Sequence, residues 1–194
     1  MSSEIQARGP LDGRQIQANG VRLAGLPSAA LVNVRGPIAD AAIDKALKRV
    51  IGCQRPTRPN SIEGGKAGRI LWLGPDEWLV ELSTDGALDQ TALETALAST
   101  QATVCAVGAG LARVSVEGSQ ARWLLAAGSP LAGDKTAIAA GDCAQTRLAH
   151  ASVIVVAESA DALTVLVRRS MAGYLWQWFE AASARLEPAQ PAAS

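Results

Sequence analysis

Apolar residues along this chain recur in two rhythms, one of period two and one of period near 3.6. Residues 30–34 form a short apolar run that ends at Arg35-Gly36-Pro37, the pattern of a strand leading into a turn. Asp40 then stands where a helix N-cap is wanted. Ile43, Leu47, Val50 and Ile51 follow at i, i+4, i+7 and i+8 and share one helix face. Gly52 suits the left-handed position that closes such a helix. Residues 54–68 contain Pro56, Pro59 and Gly64-Gly65 and are expected to be a loop. Leu71-Trp72-Leu73-Gly74-Pro75-Asp76-Glu77-Trp78-Leu79-Val80 reads as two strands joined at a tight turn, because Pro presets φ at the second turn position and Asp tolerates the third. A helix over 89–99, with Leu93, Ala96 and Leu97 inward, completes this half.

The same order of elements returns in the second half. Val114 and Val116 alternate with polar neighbours in a strand over 111–116, and Ser119 is placed to cap a helix carrying Trp123, Leu124 and Ala127. A Gly/Ala/Pro-rich loop is expected over 129–142, a strand over 147–157, a turn at Glu158-Ser159-Ala160-Asp161 and a strand over 163–168. Ser170 is placed to cap a last helix whose apolar face is Tyr174, Leu175, Trp178 and Phe179, which turns Trp176 away from the core. The repeat of element order predicts an α+β fold of two βαββα-like halves, antiparallel sheets with helices packed on one face. The expected division is an extended, loosely ordered N-terminal arm over 1–28, halves at 29–100 and 101–185, and a disordered Pro/Ala-rich tail over 186–194.

Composition narrows the chemistry. The chain has 194 residues, 48% of them hydrophobic, enough for a substantial core. Eighteen basic and eighteen acidic residues cancel, so no electrostatic footprint for nucleic acid exists. One His against five Trp disfavours most metal sites and Ser-His-Asp schemes. Cys53, Cys105 and Cys143 are too far apart for CxxC chemistry and read as free thiols in a reducing compartment. With no apolar leader in 1–20 and no run of membrane-span length, a cytoplasmic chain without membrane contact is expected.

Candidate catalytic motifs are incomplete. Gly108-Ala109-Gly110 has Arg113 at the third glycine position of a dinucleotide loop and precedes a strand pattern, not a helix. Gly64-Gly65-Lys66-Ala67 lacks the hydroxyl that a P-loop places on Mg²⁺. His150 has no nucleophile or metal companion in sequence, and Cys143 reads as a small buried hydrophobe. No catalytic, cofactor or metal residue is therefore assigned. Arg147, Arg168 and Arg169 suit an anion or an interface, and Arg147 is also a candidate brace of the second sheet. Trp72, Trp78 and Trp176 are candidate interface residues, since Trp is enriched at binding hot spots.

Five segments carry a family resemblance: Val32-Asn33-Val34-Arg35-Gly36, Leu71-Trp72-Leu73-Gly74-Pro75-Asp76-Glu77-Trp78-Leu79, Gly141-Asp142-Cys143-Ala144-Gln145-Thr146-Arg147-Leu148-Ala149, Val167-Arg168-Arg169-Ser170 and Leu175-Trp176. In this order, over about residues 21–182, the chain resembles the gamma subunit of heterotetrameric sarcosine oxidase. The resemblance implies a fold like the folate-binding aminomethyltransferases, with the glycine-cleavage T-protein and the N-terminal domain of the tRNA-modification GTPase as relatives. It implies alpha, beta and delta partner subunits. It also implies a complex that oxidatively demethylates sarcosine to glycine, with hydrogen peroxide and methylenetetrahydrofolate formed. FAD, FMN, NAD and zinc are implied for the complex, with tetrahydrofolate as acceptor, and none of these on this chain. Gly128-Ser129-Pro130-Leu131-Ala132-Gly133 departs from the Cys-Pro and acidic/His-rich stretch often present in relatives. The alternative expectation is a stand-alone folate-binding protein of one-carbon transfer, with Arg168-Arg169 seating carboxylates.

Overall fold

The computed structural model describes residues 9–83, 90–131 and 138–186. The expectations for 1–8 and 187–194, and the start of the second helix at Asp89, lie outside them. The first half runs β3 (Leu31–Arg35), α1 (Ala41–Val50), β4 (Ile62–Gly65), β5 (Gly68–Gly74), β6 (Glu77–Leu82) and α2 (Gln90–Leu97). The second runs β8 (Leu111–Glu117), α3 (Ala121–Ala126), β9 (Cys143–Leu148), β10 (Ala151–Ala157), β11 (Ala162–Arg168) and α4 (Ala172–Ser183). Each half is thus βαβββα, the predicted pattern with one more strand. Three further strands, β1 (Gln15–Ala18), β2 (Val21–Leu26) and β7 (Thr103–Ala106), complete two antiparallel sheets.

The extra strand in each half came without a strong signal. β4 lies inside the expected 54–68 loop, carried by Ile62 pairing with Leu71. A single strand was expected over 147–157, yet the chain reverses at Ala149-His150, with Ala149 at φ 52, so that only β10 falls wholly within that range and β9 precedes the turn. A left-handed alanine is no turn signal in sequence, because that backbone region is costly for a residue with a Cβ.

Sheet order exposes an exchange between the halves. One sheet runs β4-β5-β6-β3-β7, the other β9-β10-β11-β8-β2-β1. The first four positions are equivalent, and the fifth is filled by a strand that in sequence adjoins the other half. The expected N-terminal arm is therefore corrected: residues 15–26 are an ordered hairpin, with Leu23 opposite Val116 of β8. β7, placed by sequence in the second half, pairs with β3 of the first.

The layers follow from strand alternation. Val32, Val34, Trp78, Val80 and Leu82 face α1 and α2 in one core. Val114, Val116, Val153, Val155 and Val165 face α3 and α4 in a second. The intervening residues point between the sheets, where Leu31, Leu71, Leu79, Val156 and Leu166 form a third, smaller core.

Capping matches the sequence only in part. Asp40 Oδ1 accepts from Ala42 N at 2.9 Å, and Gly52 takes φ +95 just past α1. Ser119 and Ser170 cap nothing: α3 and α4 begin after Gln120 and Met171 without a side-chain cap. The buried stripe of α4 is Ala172, Leu175, Trp176, Phe179 and Ser183. It is rotated from the predicted face, so Trp176 is only 2% exposed while Trp178 is half-buried over Gly128. Both stripes are apolar enough to serve, and packing against the six-stranded sheet chooses between them.

Candidate functional site, the groove between the two sheets

On either side of the inter-sheet core the same alternation that buries Leu79 brings its neighbours two residues away, Glu77 and Glu81, into the layer. Glu81 closes one end. Its carboxylate accepts from Arg69 Nε of β5 at 2.7 Å and from Arg113 Nη2 of β8 at 2.5 Å. Arg69 also forks onto Glu158 at 2.7 and 3.0 Å, and Thr164 donates to Glu158 at 2.8 Å. Burial alone would raise the Glu158 carboxyl, but the Arg69 hydrogen bond and charge, with Thr164, hold it below its ordinary value. This end is a charged staple between the sheets, lying beside a cavity of about 490 Å³.

Glu77 borders the other end, an open groove of about 1030 Å³. Asn33 Nδ2 donates to Glu77 Oε1 at 2.8 Å and Arg35 Nη2 to Oε2 at 2.7 Å. Leu73, Leu79, Leu111 and Ile154 make an apolar floor. Gln145 is held over it by donation from Nε2 to the Leu73 carbonyl at 2.8 Å. Arg168, Arg169 and Ser170 form the far rim, at the end of β11. Four of the five segments that carry the family resemblance thus converge on one groove through Asn33, Leu73, Glu77, Gln145 and Arg168.

Cys143 joins the sheets beneath this site. Its Sγ donates to the Trp72 carbonyl at 3.3 Å, and its own N–H donates to the Asn60 carbonyl at 2.7 Å. Burial pushes the thiol up to about 11, so it stays protonated at neutral pH. His150 is exposed in the β9–β10 turn, where its backbone N–H donates to the Tyr174 hydroxyl at 3.3 Å. Among the described residues no three of His, Cys, Asp and Glu gather as a metal site.

The tryptophans divide sharply. Trp78 is 1% exposed, donates Nε1 to the Pro56 carbonyl at 3.3 Å and lies under the Arg55 guanidinium, 4.6 Å from its ring centre. Trp176 donates to Glu180 at 2.7 Å. Both fill this chain's own core, which corrects their reading as interface residues: neither has a face to offer. Trp72, paired across the hairpin with Trp78, is half-buried against the α1/α2 core. Trp123 of α3, not singled out by sequence for a surface role, is 64% exposed. Arg147 is exposed and its side chain has no hydrogen-bond partner among the described residues, so its guanidinium does not brace the sheet.

Sequence reasoning missed two buried arginines. Arg55, with its side chain 3% exposed, binds both oxygens of Asp44 and the carbonyls of Pro37, Ile38 and Asp40. The Arg55 hydrogen bond holds the Asp44 carboxyl below its ordinary value, against the effect of burial. Arg122 of α3 donates to the carbonyls of Ile138, Ser159 and Ala160. An isolated Arg in a Pro-rich loop or on a helix reads as solvated, so neither left a signal.

Two antiparallel sheets lie face to face, with helices on both outer faces, in a layered α+β fold. A chain of the heterotetrameric sarcosine oxidase from Corynebacterium sp. U-96 has this fold, with a TM-score of 0.80 and 22% identity over 91% of this chain and 90% of that one. The glycine cleavage system aminomethyltransferase T from Bartonella henselae has it too, with a TM-score of 0.67 and 16% identity over 88% of this chain and 48% of that one. No curated protein sequence is matched. The model of the sarcosine oxidase, gamma subunit family matches residues 35–185, and the chain belongs to that family.

Proposed function

We propose that this chain is the assembly subunit of a heterotetrameric sarcosine oxidase, stabilising the complex without supplying catalytic groups. The observation that carries the reading is the family match over residues 35–185. The state of the reactive side chains supports it. Glu77, Glu81 and Glu158 are each tied to an arginine, and the Cys143 thiol is held protonated. The Glu158 carboxyl, held below its ordinary value, is a weaker base than a free carboxylate, and a protonated thiol is a poor nucleophile.

The partners in this reading are alpha, beta and delta subunits in the cytoplasm. They hold the FAD, FMN, NAD and zinc and bring tetrahydrofolate to the product of sarcosine oxidation. Arg147, Arg168 and Arg169 are this chain's exposed candidates for contact with them. Co-expression with the large flavin-binding subunits followed by size exclusion tests the reading. Co-elution at the mass of the complex is the expected result, and a chain that stays monomeric beside its candidate partners refutes it.

A further inference from the structure

The groove between the sheets has features that fit a polypeptide better than an enclosed small molecule. It is open along its length, and its volume of about 1030 Å³ is at the upper limit for pockets that bury drug-sized ligands. Its floor is apolar: Leu79 is buried, and Leu73, Leu111 and Ile154 are half-buried around it. Glu77, the groove's one carboxylate among the described residues, is already held by Asn33 and Arg35. Arg168 at the rim is exposed, and its side chain has no hydrogen-bond or ion-pair partner among the described residues. A carboxylate from elsewhere completes it best, since guanidinium and carboxylate match in two-point geometry.

The third feature is main-chain. Ala106, the last residue of β7, lines the same groove. Among the described residues β7 is the edge of its sheet and pairs with β3 alone. Val107 N donates to the Leu31 carbonyl at 2.9 Å, which sets the parity of the ladder. Cys105, opposite Asn33, therefore directs its peptide groups inward to β3, whereas Val104 and Ala106 direct theirs off the edge. The strand, Thr103-Val104-Cys105-Ala106, has no charge and no Pro to block pairing. Outward N–H and C=O groups at alternate residues are satisfied by an extended chain.

We propose that the groove is a docking slot for an extended segment of another subunit. That segment pairs along β7 and, continuing past Ala106 into the groove, lays apolar side chains on the Leu73–Ile154 floor and gives a carboxylate to Arg168. The inference rests on the assembly role proposed above and specifies its surface. Acidic and apolar residues alternating in a partner's loop or terminus are the chemistry the slot selects.

Cys105 supplies the readout, because it is the exposed thiol on this edge while Cys53 and Cys143 are buried. Maleimide labelling of Cys105 is compared in the isolated full chain and in the co-expressed complex, with Arg168→Glu examined beside the wild type. Assembly is expected to slow labelling at least about tenfold, and Arg168→Glu to weaken retention in the complex at least about tenfold with an unchanged melting temperature. Three results overturn the proposal: labelling as fast in the complex as in the free chain, wild-type retention of Arg168→Glu, or a thermal shift by glutarate that is lost in Arg168→Glu while assembly is unaffected. The last would make the groove a small-carboxylate site. A wild-type chain that fails to co-elute with any large subunit would refute the assembly role itself, a different outcome from a complex that forms with Cys105 still open.

Discussion

Arg113 on β8 and Glu81 on β6 meet across the layer between the two sheets, Nη2 to Oε1 at 2.5 Å, with side chains only 16% and 13% exposed. Glu81 holds Arg69 with its other oxygen, so one carboxylate restrains two arginines on two sheets. Glu81→Ala leaves both guanidiniums short of a partner in a partly buried place, and Arg113 Nε is already buried without one among the described residues. The expected loss is about 3 kcal/mol, measured by urea denaturation. A loss below 0.5 kcal/mol, on the scale of exposed pairs, would show that the staple is solvated.

The same network makes stability fall in acid. The folded Glu158 carboxyl lies below its ordinary value of 4.5, so its contribution is complete above that pH and is lost as pH drops through the folded value. Glu158→Gln is expected to melt lower than wild type at pH 7, and the gap to close as pH falls below about 4. A gap independent of pH would assign the effect to packing. Asp44, also held low by Arg55, adds to the acid sensitivity of both proteins equally.

Arg55 is both a capping residue for the turn before α1 and the lid over Trp78. Arg55→Lys keeps the charge but loses the planar fork that reaches both oxygens of Asp44 and three carbonyls. A loss of about 3 kcal/mol is expected for Arg55→Ala, and more than half of it for Arg55→Lys. Thermal melts of the two variants measure the ratio; full retention of stability by the lysine would mean charge alone suffices.

Three cysteines should give one reactive thiol. Cys53 and Cys143 are buried, and burial raises both thiols above their ordinary value. Titration with a chromogenic disulfide at pH 8 is expected to modify Cys105 alone in the folded chain and all three in denaturant. Modification of Cys143 without denaturant would place it in an accessible, opening segment.

The local elements were legible because their signals are local. The Gly74-Pro75-Asp76-Glu77 turn, the Asp40 cap and the Ile43–Leu47–Ile51 stripe are each written within a dozen residues. The groove was legible only as separate motifs: Asn33, Glu77, Gln145 and Arg168 are distributed over the length of the chain. The β9–β10 reversal escaped because Ala149 adopts a backbone state that alanine does not advertise.

Sequence by itself determined the two helix-on-sheet halves, since periodicity fixes which residues share a face. It could not say what lies opposite that face. Arg69, Glu81, Arg113 and Thr164 alternate with buried apolar residues, and nothing in that pattern marks them as inward, yet they meet between two sheets. That meeting, the passage of β1–β2 and β7 to the other half's sheet, and the choice of Trp176 over Trp178 for the core were decided by tertiary packing. The physical reason is common to all three. Strand and helix patterns specify the direction of a side chain within its own element, whereas its partner depends on which surfaces stack and exclude water.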